Sequence, residues 1–391
     1  MKKSLIFLAL GSVFATAQAA DISVFGAVDT GFMFSHSKVS GESAENTLSM
    51  ESSMNETSSF GIAGSEDLGN GMKVAFHLEN EFASDSGSMA TENKLFDREA
   101  RITLEGGFGA LSFGRMGTLS SATGTYDTVY LVGDSFDGGD NNIFGLTGAG
   151  VYDNMITYQT PEFAGFQVTG QYSFKNDSAE EAGVEGKATA DRYAGIAATY
   201  TIGNLQTVIA YDQMMWGSKE TGANREKDQH NVYLGGNYDF GLLKLFAMGQ
   251  YVKGARDFAG TEDFLDTPNE DGVALQSHEG FDGWGLHLGT VMPVAGGDWT
   301  VAVYYADGEL DDGTVSDAGV APADVNVNVD IKFYGITTRY VYPLSERASL
   351  YAGAGYGERK YDVSANAGTA RYSESPKEKI GQVYAGLSYV F

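Results

Sequence analysis

Apolar and polar side chains alternate with a period of two over long stretches of this chain, which is the pattern of a β-strand and not of a helix. Val74, Phe76 and Leu78 fall on one face of such a stretch, while His77 and Glu79 fall on the other. The alternating runs extend over about 10 to 14 residues, whereas a strand in a soluble protein usually has about 5 or 6. A tilted strand needs about 9 to 11 residues to cross a bilayer. The pattern therefore predicts membrane-crossing strands.

The alternation marks sixteen candidate strands, and the connections between them are short at one end and long at the other. The candidate strands lie near 21–35, 57–65, 72–83, 96–106, 109–116, 152–160, 163–175, 190–201, 204–215, 229–240, 242–253, 281–293, 298–307, 328–342, 348–360 and 379–391. The long connections cover 36–56, 84–95, 117–151, 176–189, 216–228, 254–280, 308–327 and 361–378. An even strand number with this asymmetry of loops is typical of an outer-membrane barrel, and about 16 strands leave a water-filled lumen. We therefore predict an all-β fold, a 16-stranded antiparallel transmembrane β-barrel with short periplasmic turns and long extracellular loops.

The N-terminus has the three parts of a secretory signal peptide. Met1 and two lysines precede a largely apolar stretch from Leu5 to Ala15, and Ala17-Gln18-Ala19 forms a small-x-small cleavage signal. We predict that residues 1–19 are the signal peptide and that 20–391 form a single barrel domain. The expected destination is the outer membrane of a Gram-negative cell.

The composition excludes several other classes of protein. The chain has 52 Asp and Glu against 25 Lys and Arg, so it offers no basic surface for nucleic acid. Its lack of cysteine excludes disulfide scaffolds and thiol catalysis. The five histidines form no His-Glu-x-x-His pair, and no serine lies in a Gly-x-Ser-x-Gly elbow. We therefore expect neither an enzyme nor a cofactor or metal site.

Several ordered segments resemble the general diffusion porins of the Gram-negative outer membrane, the 16-stranded trimeric type. The segment from Ser59 to Lys73, SFGIAGSEDLGNGMK, resembles a strand–turn–strand unit of that family, and Leu344-Ser345-Glu346-Arg347 resembles a periplasmic turn. The terminal Phe391 resembles the carboxy-terminal phenylalanine that the barrel-assembly machinery reads. The resemblance implies a homotrimer that passes small hydrophilic solutes and ions by passive diffusion, in contact with outer-membrane lipid and lipopolysaccharide.

In such porins the third extracellular loop folds into the barrel and narrows the pore. The matching loop here is 117–151, which contains no Lys or Arg. Its candidate constriction carboxylates are Asp127, Asp134, Asp137 and Asp140. Acidic side chains that face a basic wall produce a transverse field across a narrow throat. The alternative is that 117–151 is a solvated acidic surface loop.

The family's cluster of basic residues on the pore wall is only partly matched. Arg101 occupies the place of one inward arginine, whereas Ser59 occupies the place of another. Arg98 and Arg115 lie near strand ends and are further candidates for the basic wall, although their alternation matches the outward residues of their own strands. An acidic loop that faces few basic residues predicts a cation-favouring pore.

Two alternatives for function stay open at this level. The chain could be a substrate-selective porin for a sugar or a cationic nutrient, or a structural or adhesive outer-membrane barrel. The acidic runs from Glu262 to Asp271 and from Asp307 to Asp317 are expected to be exposed loop tips. Their alternative role is to bind divalent cations that bridge to lipopolysaccharide phosphates.

Overall fold

The computed structural model describes residues 21–136, 149–177, 183–217, 227–259, 273–277, 279–317, 325–367 and 370–391. The predicted signal peptide therefore lies outside the described residues, and it stays a prediction. Among the described residues, no helix has the length and the apolar character that a bilayer crossing requires.

Nineteen strands and one short helix make up the described secondary structure. In chain order they are β1 (Asp21–Val39), β2 (Glu45–Ser52), β3 (Ser59–Gly69), β4 (Met72–Glu81), β5 (Glu99–Gly106), β6 (Gly109–Gly117), α1 (Val129–Gly133), β7 (Val151–Gln159), β8 (Phe166–Ser173), β9 (Arg192–Ile202), β10 (Leu205–Met215), β11 (Gln229–Asp239), β12 (Lys244–Ala255), β13 (Val273–Gln276), β14 (Phe281–Val294), β15 (Gly297–Asp317), β16 (Val325–Pro343), β17 (Ala348–Ala367), β18 (Ala370–Glu374) and β19 (Lys377–Val390).

Sixteen of these strands form one closed antiparallel barrel, as the alternation predicts. Each barrel strand pairs with its neighbours in the chain, and β1 closes the ring by pairing with β19 from Ala27 opposite Val390 to Val39 opposite Glu378. The three remaining strands are short extensions: β2 pairs with β1, β13 with β15 and β18 with β17. Every predicted strand matches one barrel strand, so the predicted fold class is confirmed.

The predicted strand ends are wrong at the long-loop side of the barrel. β15 continues to Asp317 and β17 to Ala367, into segments that the sequence predicts as the loops 308–327 and 361–378. The strand β2 likewise lies inside the predicted loop 36–56. Outside the membrane a strand is not required to present an apolar face, so the period-two signal fades although the backbone pairing continues.

Residues of each barrel strand alternate between a lipid-facing outer side and a lumen-facing inner side. On β1 the side chains of Val24 and Phe32 are each 59% exposed on the outer side, whereas Asp29 and Met33 are buried on the inner side. The apolar residues of this protein therefore cover the outside of the barrel, and many polar residues lie inside.

The barrel seam brings the C-terminus against the first strand. The backbone N–H of Phe391 donates to the Gly26 carbonyl at 2.9 Å, and the Gly26 N–H donates to the Phe391 carbonyl at 3.1 Å. A Cβ atom on Gly26 would lie 2.3 Å from the Ser59 carbonyl oxygen, so only glycine permits this approach. The terminal residue is thus part of the closure, and its predicted role as an assembly signal stays a prediction.

Outward aromatic side chains lie near both ends of the membrane-crossing wall. The lower aromatic row, near the short turns, contains Trp299, Tyr342 and Tyr389, and the upper aromatic row, towards the long loops, contains Trp284, Tyr305, Tyr334 and Tyr356. Two such rows flanking an apolar band are the interfacial girdles of an outer-membrane barrel.

Candidate functional site

The long connection between β6 and β7 enters the barrel. Within its described part, residues 118–136, the helix α1 packs on the inner faces of β10, β11 and β12. The side chains that receive it alternate with outward apolar residues: Val208 and Ala210 are buried, and Ile209 between them is 56% exposed. The described loop segment is therefore inside the lumen.

Apolar packing holds the middle of this loop. Tyr130 is buried among residues that include Val208 and Met248, and its ring lies 6.5 Å from the ring of Tyr233 in an edge-on arrangement. The Nδ2 atom of Asn237 donates to the carbonyl of Val132 at 2.8 Å. Together these contacts fix α1 against one side of the lumen.

The protonation of Tyr130 follows from this burial. Burial raises the pKa of the Tyr130 phenol, and the carboxylates of Asp134, Asp127 and Asp212 raise it further. The phenol therefore stays neutral within the packed interface, where a phenolate would be costly.

The root of the loop is held by the carboxylate of Glu99 on β5, which is fully buried. Its Oε1 atom accepts from the Thr125 N–H at 2.7 Å, and its Oε2 atom accepts from the Thr125 hydroxyl at 2.9 Å. Arg101 Nε donates to the same Oε2 atom at 3.0 Å, and Arg101 Nη2 donates to the Thr125 hydroxyl at 2.8 Å. The Glu99–Arg101 pair on the wall thus binds both the backbone and the side chain of Thr125 in the loop.

The tip of the loop reaches β14 and β15. Tyr304 donates its hydroxyl to Asp134 Oδ1 at 2.8 Å, and the Phe136 N–H donates to the same oxygen at 2.7 Å. The Ser135 N–H donates to His287 Nε2 at 3.2 Å, so this ring nitrogen acts as an acceptor. The loop tip is therefore bonded to the wall through both backbone and side-chain groups.

Arg339 on β16 joins the loop tip to a second inward segment. Its guanidinium carbon lies 4.9 Å from the centre of the Phe136 ring, and its Nη1 atom donates to the Met54 carbonyl at 3.0 Å. Met54 is buried against the inner side of the wall with Met33 and Tyr351. Arg339 thus contacts both the loop tip and the Met54 segment on the inner side of the barrel.

The loop spans half of the barrel circumference. Counted from β6, the strands β14 and β15 are the seventh and eighth neighbours in a ring of sixteen, so they belong to the opposite wall. Between root and tip, α1 follows the β10–β12 side. On another side of the barrel the Met54 segment lies against the inner face of β1, where the Met54 N–H donates to Asp29 Oδ1 at 3.1 Å. Both segments therefore narrow the lumen of the barrel.

Two of the four predicted constriction carboxylates lie in the described loop segment, and both are buried. Asp134 is buried at the tip, as described above, and Asp127 is buried with its Oδ2 atom accepting from the Leu131 N–H at 3.1 Å. Asp137 and Asp140 lie outside the described residues. The assignment of all four to the constriction stays a prediction.

The three predicted arginines occupy different surroundings. Arg101 is directed inwards at the loop root, next to Tyr126, whose ring centre is 5.6 Å from the guanidinium carbon. Arg98 pairs with Glu79 at 3.0 Å and with Glu81 at 2.7 Å. Among these three, Arg101 makes the described contacts with the loop.

Arg115 lies at an irregularity between β6 and β7, where the strand register shifts between Gly114 and Met116. Its Nη1 atom donates to Asp153 at 2.6 Å and its Nε atom to the Asp97 carbonyl at 2.7 Å. These contacts connect the ends of neighbouring strands, and they do not include the loop segment 118–136.

Glu99 and Arg339 were not predicted from the sequence as site residues, although the alternation along their strands indicates that both side chains face the lumen. Glu99 shares the parity of the inward Arg101 on β5, and Arg339 shares the parity of the inward Thr337 on β16. Alternation alone therefore assigns both to the lumen. Alternation does not show which inward residue meets the loop, because that depends on the path of the loop across the barrel.

Comparisons of this sequence with known proteins agree on one family. A family model described as Gram-negative porin matches residues 4–362. An outer membrane porin of Bordetella pertussis is 29% identical, with 92% of this chain and 94% of that protein covered. Outer membrane porin protein 32 of Delftia acidovorans is 30% identical, with 92% and 90% covered.

Among solved structures, an anion-selective porin from Comamonas acidovorans superimposes with a TM-score of 0.62 at 24% identity, covering 95% of this chain and 100% of that one. At this identity the likeness concerns the fold alone. It agrees with the closed barrel described above.

Proposed function

The chain belongs to the Gram-negative porin family, which consists of outer-membrane channel proteins and not enzymes, and from this membership we propose its particular activity. The proposed activity is passive diffusion of small hydrophilic solutes and ions through a water-filled lumen. The supporting observation is the loop segment 118–136, which enters the lumen and spans half of the barrel circumference, as a constriction in a channel would.

The proposal includes a cation-favouring selectivity. The chain carries a net charge of −27, and the loop 117–151 contains Asp127, Asp134, Asp137 and Asp140 but no Lys or Arg. Negative charge near a narrow passage raises the local concentration of cations. The porin of known structure that is named anion-selective makes the sign of the selectivity the point to test.

The proposed assembly is a homotrimer, by resemblance to the general diffusion porins. Export by the signal peptide in residues 1–19 and folding by the barrel-assembly machinery, with Phe391 as the signal, belong to the same proposal. Lipopolysaccharide and outer-membrane lipid are the proposed surroundings of the barrel.

Single-channel recording of the refolded protein in a planar bilayer under a salt gradient tests these points together. We expect conductance steps in groups of three and a reversal potential that makes the dilute side positive, which is the sign for a cation-favouring pore. A reversal potential of the opposite sign would overturn the selectivity. If heat-modifiable migration shows that the protein is correctly folded but no conductance is recorded, a structural or adhesive barrel would be favoured instead.

Variants in which loop carboxylates are neutralised identify the charges that are responsible for the selectivity. The double variant D137N/D140N should reduce the reversal potential with little change in conductance, and D134N should also alter conductance, because Asp134 is bonded to the wall. A matched control is E309Q/D330N, since both carboxylates are exposed on the outer side of the barrel. An equal effect from the control would show that overall charge, and not the loop, sets the selectivity.

A further inference from the structure

Five lysines form a band on the outer side of the barrel, towards the long-loop end. We call this the lysine band, and it consists of Lys38 on β1, Lys332 on β16, Lys360 on β17, and Lys377 and Lys379 on β19. The four strands are consecutive neighbours in the barrel. The band is unusual in a chain with about twice as many acidic as basic residues.

The strand register places lysines of the band directly opposite one another. Lys332 faces Lys360, Lys360 faces Lys377, and Lys38 faces Lys379 on neighbouring strands. Like charges that lie directly opposite across two strands destabilise a sheet. The arrangement therefore has an electrostatic cost that a bound anion would remove.

Two carboxylates within the band offset part of this charge. Lys332 Nζ lies 3.8 Å from Asp307, and Glu358 lies 3.4 Å from Lys360 and 3.9 Å from Lys379. These groups are partly exposed, so each such pair contributes little. Five ammonium groups against two carboxylates leave an excess of positive charge at this level.

A second layer of opposite sign lies farther from the membrane. Glu309, Asp330 and Asp362 are exposed on the same outer side, one step beyond the lysines, with Asp330 opposite both Glu309 and Asp362. Positive charge is thus confined to the level nearest the lipid. The layering defines the depth at which an anion would be bound.

That depth corresponds to the headgroup region. Lys332 is ten positions along β16 from Tyr342 of the lower aromatic row, which corresponds to roughly 25 Å across the membrane for a strand tilted by about 40°. The apolar band of an outer-membrane barrel is about 25 Å tall. Lys360 Nζ also lies 4.9 Å from the ring centre of Tyr334 in the upper aromatic row.

We propose that the lysine band binds the phosphate groups of a phosphorylated lipid of the outer leaflet directly, without a bridging divalent cation. Ammonium groups at headgroup depth above an apolar wall fit such a lipid, whose chains cover the apolar side chains below. The alternative occupant of the lysine band, a second copy of this chain, would have to present an acidic surface at the same depth. The proposal uses the outer-membrane location, and it does not depend on whether the lumen conducts.

The test compares lipid retention by the wild type and by K332Q/K360Q/K379Q. Both proteins are refolded in detergent and incubated with diphosphorylated lipid A in EDTA, and the bound lipid is measured by native mass spectrometry. We expect the wild type to retain the lipid and the variant to bind it more weakly by on the order of a hundredfold, from three lysines near an anionic surface. Lipid A without phosphate should bind both proteins equally weakly.

Two controls keep the result specific. K73Q/K227Q/K253Q makes the same charge change at lysines outside the band, each about half exposed, and should bind as the wild type does. D330N/D362N changes the outer acidic layer and should not reduce binding. Heat-modifiable migration confirms that each variant is folded.

Three outcomes would overturn the proposal. Release of lipid A from the wild type by EDTA, together with weak binding by D330N/D362N, would assign the contact to a bridging cation. Equal retention by the wild type and the lysine variant would remove the band from lipid binding altogether. Loss of an oligomer in the lysine variant with unchanged lipid binding would identify an interface between copies.

Discussion

The two attachments of the lumen loop differ in chemistry and in their separation along the chain. The root depends on the buried carboxylate of Glu99, which binds Thr125 only 26 positions away. The tip depends on Tyr304 and His287, which are 170 and 152 positions from the loop residues that they bind. A local contact can form once the β5–β6 hairpin exists, whereas distant contacts require the wall to be in place. The loop therefore reaches its final position only in the closed barrel.

This difference has a functional consequence. The root determines where the loop leaves the wall, and the tip determines how far the loop crosses the lumen. Changes at the two ends should therefore have separable effects on stability and on conductance.

The largest effect is expected from E99Q at the root. The substitution leaves Arg101 and Thr125 at a buried site without their carboxylate, and loss of one partner of a buried pair costs about 3 to 5 kcal/mol. We expect a lower thermal midpoint and a larger, noisier single-channel conductance. E105Q is the control, because Glu105 pairs with Lys73 at a partly exposed site, where a pair contributes about 0 to 1 kcal/mol. Normal conductance in E99Q would show that the root does not position the loop.

R339A at the tip should have an intermediate effect. The change removes a hydrogen bond to the Met54 carbonyl and the stacking on Phe136, together about 2 to 4 kcal/mol. We expect increased conductance with a smaller loss of thermal stability than in E99Q. R339K keeps the charge but loses the planar stacking, so it should fall between R339A and the wild type. If R339K matches the wild type, charge alone explains the role of this residue.

Y304F should have a smaller effect at the same end. The loss of one hydroxyl that donates to Asp134 costs about 1 to 2 kcal/mol, while the Arg339 contact still holds Phe136. We expect unchanged conductance and a slightly lower thermal midpoint. Y305F removes a similar bond to Asp307 on the outer side of the barrel and is the control. A rise in conductance in Y304F alone would mean that Asp134 is the main anchor of the tip.

The smallest expected effect is the coupling free energy between the substitution at the root, E99Q, and the substitution at the tip, R339A. The two sites lie on strands that are six neighbours apart in the ring, so the losses of stability in E99Q and R339A should add to within about 0.5 kcal/mol in the double variant. Thermal or denaturant unfolding of the four proteins of this cycle measures the coupling. A coupling well above that size would show that the loop transmits strain as one rigid unit.

The barrel wall could be predicted from the sequence, because lipid on one side imposes strict alternation on every crossing strand. The same reason explains where the prediction is wrong: Asp317 and Ala367 end strands that continue past the membrane, where no lipid selects an apolar face. Arg101 was identified by parity together with resemblance. Fold and wall orientation are therefore local properties of the sequence.

The contacts of the loop could not be predicted in the same way. Composition identified Asp127 and Asp134 as acidic loop residues, but it does not distinguish a carboxylate that faces water from one buried against a wall. The alternation along β16 shows that Arg339 faces the lumen, yet its contact with Phe136 joins β16 to a loop that leaves the wall at the distant strand β6. Such contacts depend on the path of the loop through three dimensions.

The long strands β15 and β17 also affect the electrical behaviour of the molecule. They contain 21 and 20 residues, whereas a tilted crossing needs about 9 to 11. On this side the wall therefore continues beyond the membrane and borders one side of the mouth. We expect the electrolyte beside this raised wall to add a resistance in series with the throat, so that widening the throat should raise the current less than in proportion.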